Sequence, residues 1–129
     1  MSGNVVVTGL GAICALGKTV PDYWDALIAG RSAIGPLGGI GEGTRISIGA
    51  LVSDFDSLEY FSPEELPFFD RFSQFAVVAA REAVADAGLL EADDDLSKAA
   101  AIIGTGCGGK QTDEETYVTL YKHARSRAH

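Results

Sequence analysis

Cysteine is scarce in this chain of 129 residues, which contains Cys14 and Cys107 and no other cysteine. Two cysteines do not make the disulfide framework that stabilises many small secreted domains. The amino terminus has no basic stretch, and the first apolar run, from Val5 to Leu16, is short and interrupted by glycine. Neither a signal peptide nor a membrane span is indicated. We therefore expect a reduced, cytoplasmic protein with no membrane partner.

Positive charge is also in short supply. The chain has 10 lysine and arginine residues against 18 aspartate and glutamate residues, which gives a net charge of −8. Phosphate backbones and anionic membranes repel such a chain, so nucleic acid is not an expected partner. The acidic run from Glu91 to Asp95 lacks the glycine and the terminal glutamate of a calcium-binding loop. We expect it to be a solvated loop, and we expect no metal site.

The composition is otherwise that of a compact folded protein, with 47% apolar and 22% charged residues. No internal repeat or domain boundary is evident, so we predict a single domain segment over residues 1–129.

A helix start is indicated by Thr19, Pro21 and Asp22, and Gly30 ends that helix. Its apolar side chains are Tyr23, Trp24, Leu27 and Ile28. A further helix is predicted from about Thr112.

The longest regular element is predicted from Asp70 to Ala87, with Gly88 ending it. Small and aromatic residues recur on one face at helical spacing, namely Phe72, Ala76, Ala79, Ala80, Ala83 and Ala87. An alanine-rich face allows a neighbouring helix or sheet to approach closely. Glu82 and Asp86 are expected on the wetter side.

Three β-branched segments are predicted strands, at Val5–Val7, at Arg45–Val52 and at Ala99–Ile103. They alternate along the sequence with the predicted helices. This order indicates an α/β fold.

Two glycine-rich turns follow predicted strands, at Gly9–Gly17 and Gly104–Gly109, and such turns let the backbone approach another group closely. A dinucleotide-binding turn requires a third glycine where Cys14 occurs. A phosphate-binding P-loop requires serine or threonine where Gln111 occurs, and Thr112 is one position late. Both patterns are incomplete. The third alternative is the turn of a thiolase-like condensing enzyme.

Three segments together resemble the amino-terminal part of a type II β-ketoacyl-acyl-carrier-protein synthase, of the fatty-acid or polyketide kind. The run Val5–Gly17 is similar to the family opening Val-Val-Val-Thr-Gly-Leu-Gly. The helix that starts at Asp70 and ends at Gly88 is also similar, as is the Gly-x-Gly-x-Gly-Gly loop at Gly104–Gly109. The resemblance spans nearly the whole chain and keeps the three segments in order.

This resemblance implies a thiolase-like fold with α-β-α-β-α layers, of which the chain is part of the amino-terminal half only. Family members elongate acyl chains on acyl carrier protein by decarboxylative Claisen condensation, as homodimers and without a cofactor. Their nucleophilic cysteine and two histidines would lie beyond residue 129, and His123 and His129 do not match them. We expect the chain to be the first third of such an acyltransferase and to be inactive alone. The alternative is a non-catalytic, chain-length-factor-like subunit that binds a partner and shapes the acyl tunnel, with an exposed sheet edge.

The resemblance assigns no catalytic residue to this chain, but it assigns Gly106, Cys107 and Gly108 to the border of the acyl pocket. Cys107 stands where the family commonly has a larger aliphatic residue that controls chain length; it is equally well a small buried hydrophobe. The carrier protein would dock on a basic segment before the alanine-rich helix. Here that segment, Ser62–Phe69, is acidic and apolar, so either the carrier protein docks elsewhere or the chain belongs to a specialised branch of the family, such as a polyketide, aryl-polyene or chain-length-factor-like subunit. Phe68 and Phe69 are expected to be core residues.

Overall fold

The computed structural model describes residues 3–89 and 96–122. These residues form three α-helices and one small sheet. The helices are α1 (Val20–Ile28), α2 (Arg71–Asp86) and α3 (Lys110–Tyr117), and α3 continues into a π-helical turn at Val118–Lys122. The antiparallel strands are β1 (Gly35–Pro36) and β2 (Ile48–Gly49). Short 3-10 turns occur at Gly38–Gly41, Ser57–Glu59, Leu66–Phe68 and Leu96–Lys98.

The described chain divides into two compact units. One contains residues 3–56 and 78–89, and the other contains residues 57–77 and 96–122. The single domain segment over residues 1–129 stays a prediction. The predicted acidic loop at Glu91–Asp95, His123 and His129 lie outside the described residues. No helix among the described residues is both long and apolar enough to cross a membrane.

The helix predictions are confirmed, because local capping signals determine them. Thr19 is the N-cap of α1, and its hydroxyl oxygen accepts a hydrogen bond from the backbone N–H of Asp22 at 3.3 Å. Gly30 and Gly88 follow α1 and α2 with φ of +64° and +67°, the left-handed conformation that ends a helix. Ala26 is the buried residue of α1, and the side chain of Trp24 is 57% exposed.

The predicted sheet is the main correction. Val5–Val7 and Ala99–Ile103 pair with no strand among the described residues, and β2 covers two residues of the predicted Arg45–Val52 strand. Val5 is 100% exposed and Ile102 is 94% exposed. Apolar β-branched runs become strands when neighbouring strands pair with them and other layers cover them. The described chain supplies neither, so it is mostly helical with a small two-stranded sheet.

The first glycine-rich turn lies directly against α2, within the first unit. A Cβ atom added at Gly9 would overlap the carbonyl oxygen of Ala83, and one at Gly11 would overlap that of Ala79. Only glycine fits at these two positions. The alanine-rich face is therefore closely approached, as predicted, but by the backbone of the turn and not by the expected helix or sheet.

Two carboxylates of α2 complete this contact. The backbone N–H of Leu10 donates to Asp86 at 2.9 Å. Glu82 accepts from Ala12 at 2.9 Å through one oxygen and from Val20 at 2.8 Å through the other. Because Val20 is the first residue of α1, Glu82 joins the turn to that helix. The expected wetter side of α2 thus binds backbone donors of the turn and of the start of α1.

We predict that Gly11→Ala lowers the free energy of unfolding by about 3 kcal/mol or more, because the new methyl group meets rigid helix backbone. Gly39→Ala is the matched control, since no atom lies within 4 Å of its added Cβ. It should change the free energy of unfolding by less than about 1 kcal/mol. Urea unfolding of both variants beside the parent tests this. Equal midpoints for the two variants would contradict the proposed close packing.

Candidate functional site

The second glycine-rich turn, residues 104–109, leads directly into α3 in the second unit. The backbone N–H of Gly108 donates to the hydroxyl oxygen of Thr105 at 3.0 Å. Gly108 has a φ of +63°, which a residue with a side chain rarely adopts. The N–H of Lys110 donates to the carbonyl oxygen of Gly108 at 3.0 Å. The turn is therefore tightly folded where it enters the helix.

Asp70 connects this turn to the start of α2. One of its carboxylate oxygens accepts two hydrogen bonds from Thr112, one from the backbone N–H at 2.9 Å and one from the hydroxyl group at 2.5 Å. The other oxygen accepts from the N–H of Phe72 at 3.3 Å. Asp70 precedes α2 and Thr112 is the third residue of α3. One carboxylate therefore caps the amino termini of two helices.

Hydrogen bonding favours the ionised form of this carboxylate. The hydroxyl group of Thr112 lowers the pKa of Asp70 below its usual value of 3.8, and burial opposes that effect. Backbone N–H groups of Thr112, Phe72 and Arg71 lower the pKa further. Each of these donors stabilises the ionised form. Asp70 is therefore a charged acceptor at neutral pH.

The residues assigned to the acyl pocket, Gly106, Cys107 and Gly108, are neighbours on this turn. Cys107 is an exposed free thiol, so the expectation of a small buried hydrophobe is wrong for the described chain. Gly106 is also exposed, and Gly108 is partly buried. What these residues bind stays a prediction. No histidine is among the described residues, so the structure brings no Cys–His pair together there.

A cleft of about 580 Å³ beside Asp70 was not predicted from the sequence. The side chain of Gln74, which is 8% exposed, lines it. Gln74 accepts a hydrogen bond from the hydroxyl group of Ser57 at 2.6 Å and donates one to the carbonyl oxygen of Phe69 at 2.9 Å.

An aspartate just before a helix is a recognisable N-cap signal and could have identified Asp70. Nothing in the sequence pairs Asp70 with Thr112, which is 42 residues away.

The segment expected to dock a carrier protein, Ser62–Phe69, is largely exposed to solvent. The backbone N–H of Ser62 donates to the Glu65 carboxylate at 2.8 Å, which is the side-chain bond of a capping box. Phe69 packs on the buried ring of Phe61, with 5.4 Å between ring centroids. Phe68 is 83% exposed. The core prediction is therefore wrong for Phe68.

The nucleotide-binding alternatives lose their support. Thr112, which would have to hold a metal in a displaced P-loop, bonds to Asp70. The Nζ atom of Lys110 lies 3.3 Å from the Asp113 carboxylate. The first turn, which would have to hold a dinucleotide, contacts helix α2 through Gly9 and Gly11.

Comparison with known proteins agrees with the condensing-enzyme alternative. The family described as β-ketoacyl synthase, N-terminal domain, matches residues 2–129. The chain is 38% identical over 125 residues to 3-oxoacyl-acyl-carrier-protein synthase 2 of Synechocystis sp., covering 96% of this chain and 30% of that protein. It is 36% identical over 129 residues to nodulation protein E of Rhizobium sp., covering 99% and 32%. It is 36% identical over 118 residues to 3-oxoacyl-acyl-carrier-protein synthase 2 of Coxiella burnetii, covering 91% and 28%. The chain thus spans about 30% of the length of the first of these relatives.

We predict that Asp70→Asn lowers the free energy of unfolding by about 1 kcal/mol at neutral pH, because its single amide oxygen cannot accept from both Thr112 and Phe72, which bind different oxygens of the carboxylate. The ionised carboxylate stabilises the fold above its usual pKa of 3.8, and this contribution is lost as the pH falls through the lowered pKa. The difference between parent and variant should therefore be constant above about pH 5 and shrink below about pH 4. Urea unfolding against pH measures it, with Asp113→Asn as control. A difference that persists unchanged at low pH would contradict this role.

Proposed function

The chain belongs to the β-ketoacyl synthase family, as its amino-terminal domain, and we propose that it is the first third of a condensing enzyme that elongates acyl chains. In this proposal, a cysteine takes the acyl chain from acyl carrier protein, and decarboxylation of malonyl-carrier protein supplies the attacking carbanion. The cysteine and two histidines come from the polypeptide after residue 129. This chain contributes structure and one border of the acyl pocket, and it has no condensing activity alone.

The observation that carries the proposal is the turn at residues 104–109. The hydrogen bond from Thr112 to Asp70 and the bond from Gly108 to Thr105 hold the backbone of this turn in a defined conformation. The thiol of Cys107 is exposed on it, next to Gly106, which has no side chain. An apolar acyl chain needs a wall without charged groups, and these residues supply one. Cysteine is smaller than leucine or isoleucine, so the pocket would admit longer chains.

The exposed apolar segments support the same proposal. Val5, Val6 and Val7 are 100%, 70% and 80% exposed, and Ile102 and Ile103 are 94% and 64% exposed. Apolar surface of this kind is normally covered in a complete protein. We propose that these segments are strands of the α-β-α-β-α layers and that the remainder of a longer synthase pairs with them.

Acyl carrier protein is the proposed partner, and the complete enzyme is proposed to be a homodimer. Carrier proteins of this kind are acidic, and Glu64 and Glu65 are exposed on the segment that would usually dock them. Like charges disfavour that contact. The carrier protein is therefore expected to dock on another surface of the complete enzyme.

We predict that Cys107→Phe shortens the acyl chains accepted by the complete polypeptide, because the larger ring fills the pocket border. The rate with the longest accepted primer should fall at least about tenfold relative to a short primer. Cys107→Ala is the matched control and should not shorten the accepted chains. Mass spectrometry of the products from acyl-carrier-protein primers measures the ratio. An unchanged ratio in Cys107→Phe would contradict the proposed pocket border.

A non-catalytic subunit is the second candidate, since the same exposed segments could be covered by a partner chain. We predict that the complete polypeptide instead forms an acyl-enzyme thioester and releases carbon dioxide from malonyl-carrier protein without a second synthase. Intact-protein mass spectrometry and a carbon dioxide assay detect the two steps. Activity that requires an added partner would favour the non-catalytic subunit.

A further inference from the structure

We infer that Asp70 is a positioning residue, which holds the 104–109 turn against the start of α2 and so determines where Cys107 lies. The inference about chain length rests on the proposed function of that turn. The inference about position rests on the hydrogen bonds of Asp70 alone, so the two can be tested separately.

The hydrogen bonds within the turn do not attach it to another element. The bond from Gly108 to Thr105 and the bond from Lys110 to Gly108 join residues that are neighbours in sequence. The two bonds from Thr112 to Asp70 span 42 residues. They fix the first turn of α3 to the N-cap of α2, five residues after Cys107.

The local packing makes the attachment close. A Cβ atom added at Gly109 would lie 3.0 Å from a carboxylate oxygen of Asp70. The backbone of the turn therefore passes directly beside the carboxylate. The hydroxyl group and the N–H of Thr112 bind the same oxygen, which restricts rotation as well as distance. The turn is thus held at its carboxyl-terminal end by a single side chain.

Asparagine at position 70 leaves one acceptor oxygen where aspartate has two. As an N-cap it can use that oxygen to accept from Phe72, and its NH2 group then faces the donors of Thr112 without accepting from them. If the oxygen faces Thr112 instead, the bond from Phe72 is lost, so a second variant at Thr112 is needed. Thr112→Val removes the hydroxyl group from the other side, and Thr112→Ser retains it. Asp113→Asn, also in the first turn of α3, is the matched control for loss of a carboxylate.

Hydrogen–deuterium exchange of the complete polypeptide tests whether Asp70 holds the 104–109 turn in position. Asp70→Asn and Thr112→Val should speed the exchange of backbone amides in residues 104–112 by about fivefold, the effect of losing one helix cap. Thr112→Ser and Asp113→Asn should exchange like the parent. Parent-like exchange in both Asp70→Asn and Thr112→Val, or equal acceleration throughout the protein, would overturn the inference.

The chain length of the products tests whether the position of the turn affects the proposed acyl pocket. If Cys107→Phe shortens the products, Asp70→Asn should broaden their length distribution while Asp113→Asn does not. An effect of Cys107→Phe without any effect of Asp70→Asn would overturn the inference and leave the pocket border intact. If Cys107→Phe has no effect, the proposed pocket border fails, and the exchange experiment alone decides whether Asp70 holds the turn.

Discussion

The contact between the first glycine-rich turn and the alanine-rich face of α2 is the constraint on which the first unit depends. At Gly9 and Gly11, any side chain would overlap carbonyl oxygens of the helix. The helix residues at the contact, Ala79 and Ala83, are equally small. Backbone therefore packs on backbone, and a change on either side has no flexible atoms that could move to absorb it. Small residues in both segments are thus explained by one contact.

The helix also binds the neighbouring backbone through its carboxylates. Glu82 and Asp86 accept hydrogen bonds from backbone N–H groups in the first unit, where the two bonds to Glu82 are partly buried. Asp70 accepts from the backbone N–H of Thr112 in the second unit, at an exposed position. All three carboxylates belong to α2 or to its N-cap. The acidic residues of this helix therefore organise the loops around it, beyond keeping the protein soluble.

The sequence predicts the helices well because their signals are local. Thr19 before α1 and Gly88 after α2 each act within a few residues, so a pattern reveals them. Two of the three predicted strands were not found among the described residues, and the third is represented only by β2; Val5–Val7, for example, can pair only with segments distant in sequence. The turn of the candidate site was predicted by resemblance, but its attachment through Thr112 was not. A hydrogen bond across 42 residues leaves no mark in the local pattern.

The distribution of side chains in the second turn has a consequence for specificity. Of residues 104–109, four are glycine, and Thr105 and Cys107 alone have larger side chains. Thr105 uses its hydroxyl oxygen to accept from Gly108 and so serves the turn itself. Cys107 is then the one residue of the turn whose size can change without altering those contacts. If the turn borders an acyl pocket, selectivity can change through this side chain while the backbone, attached at Asp70, stays in place.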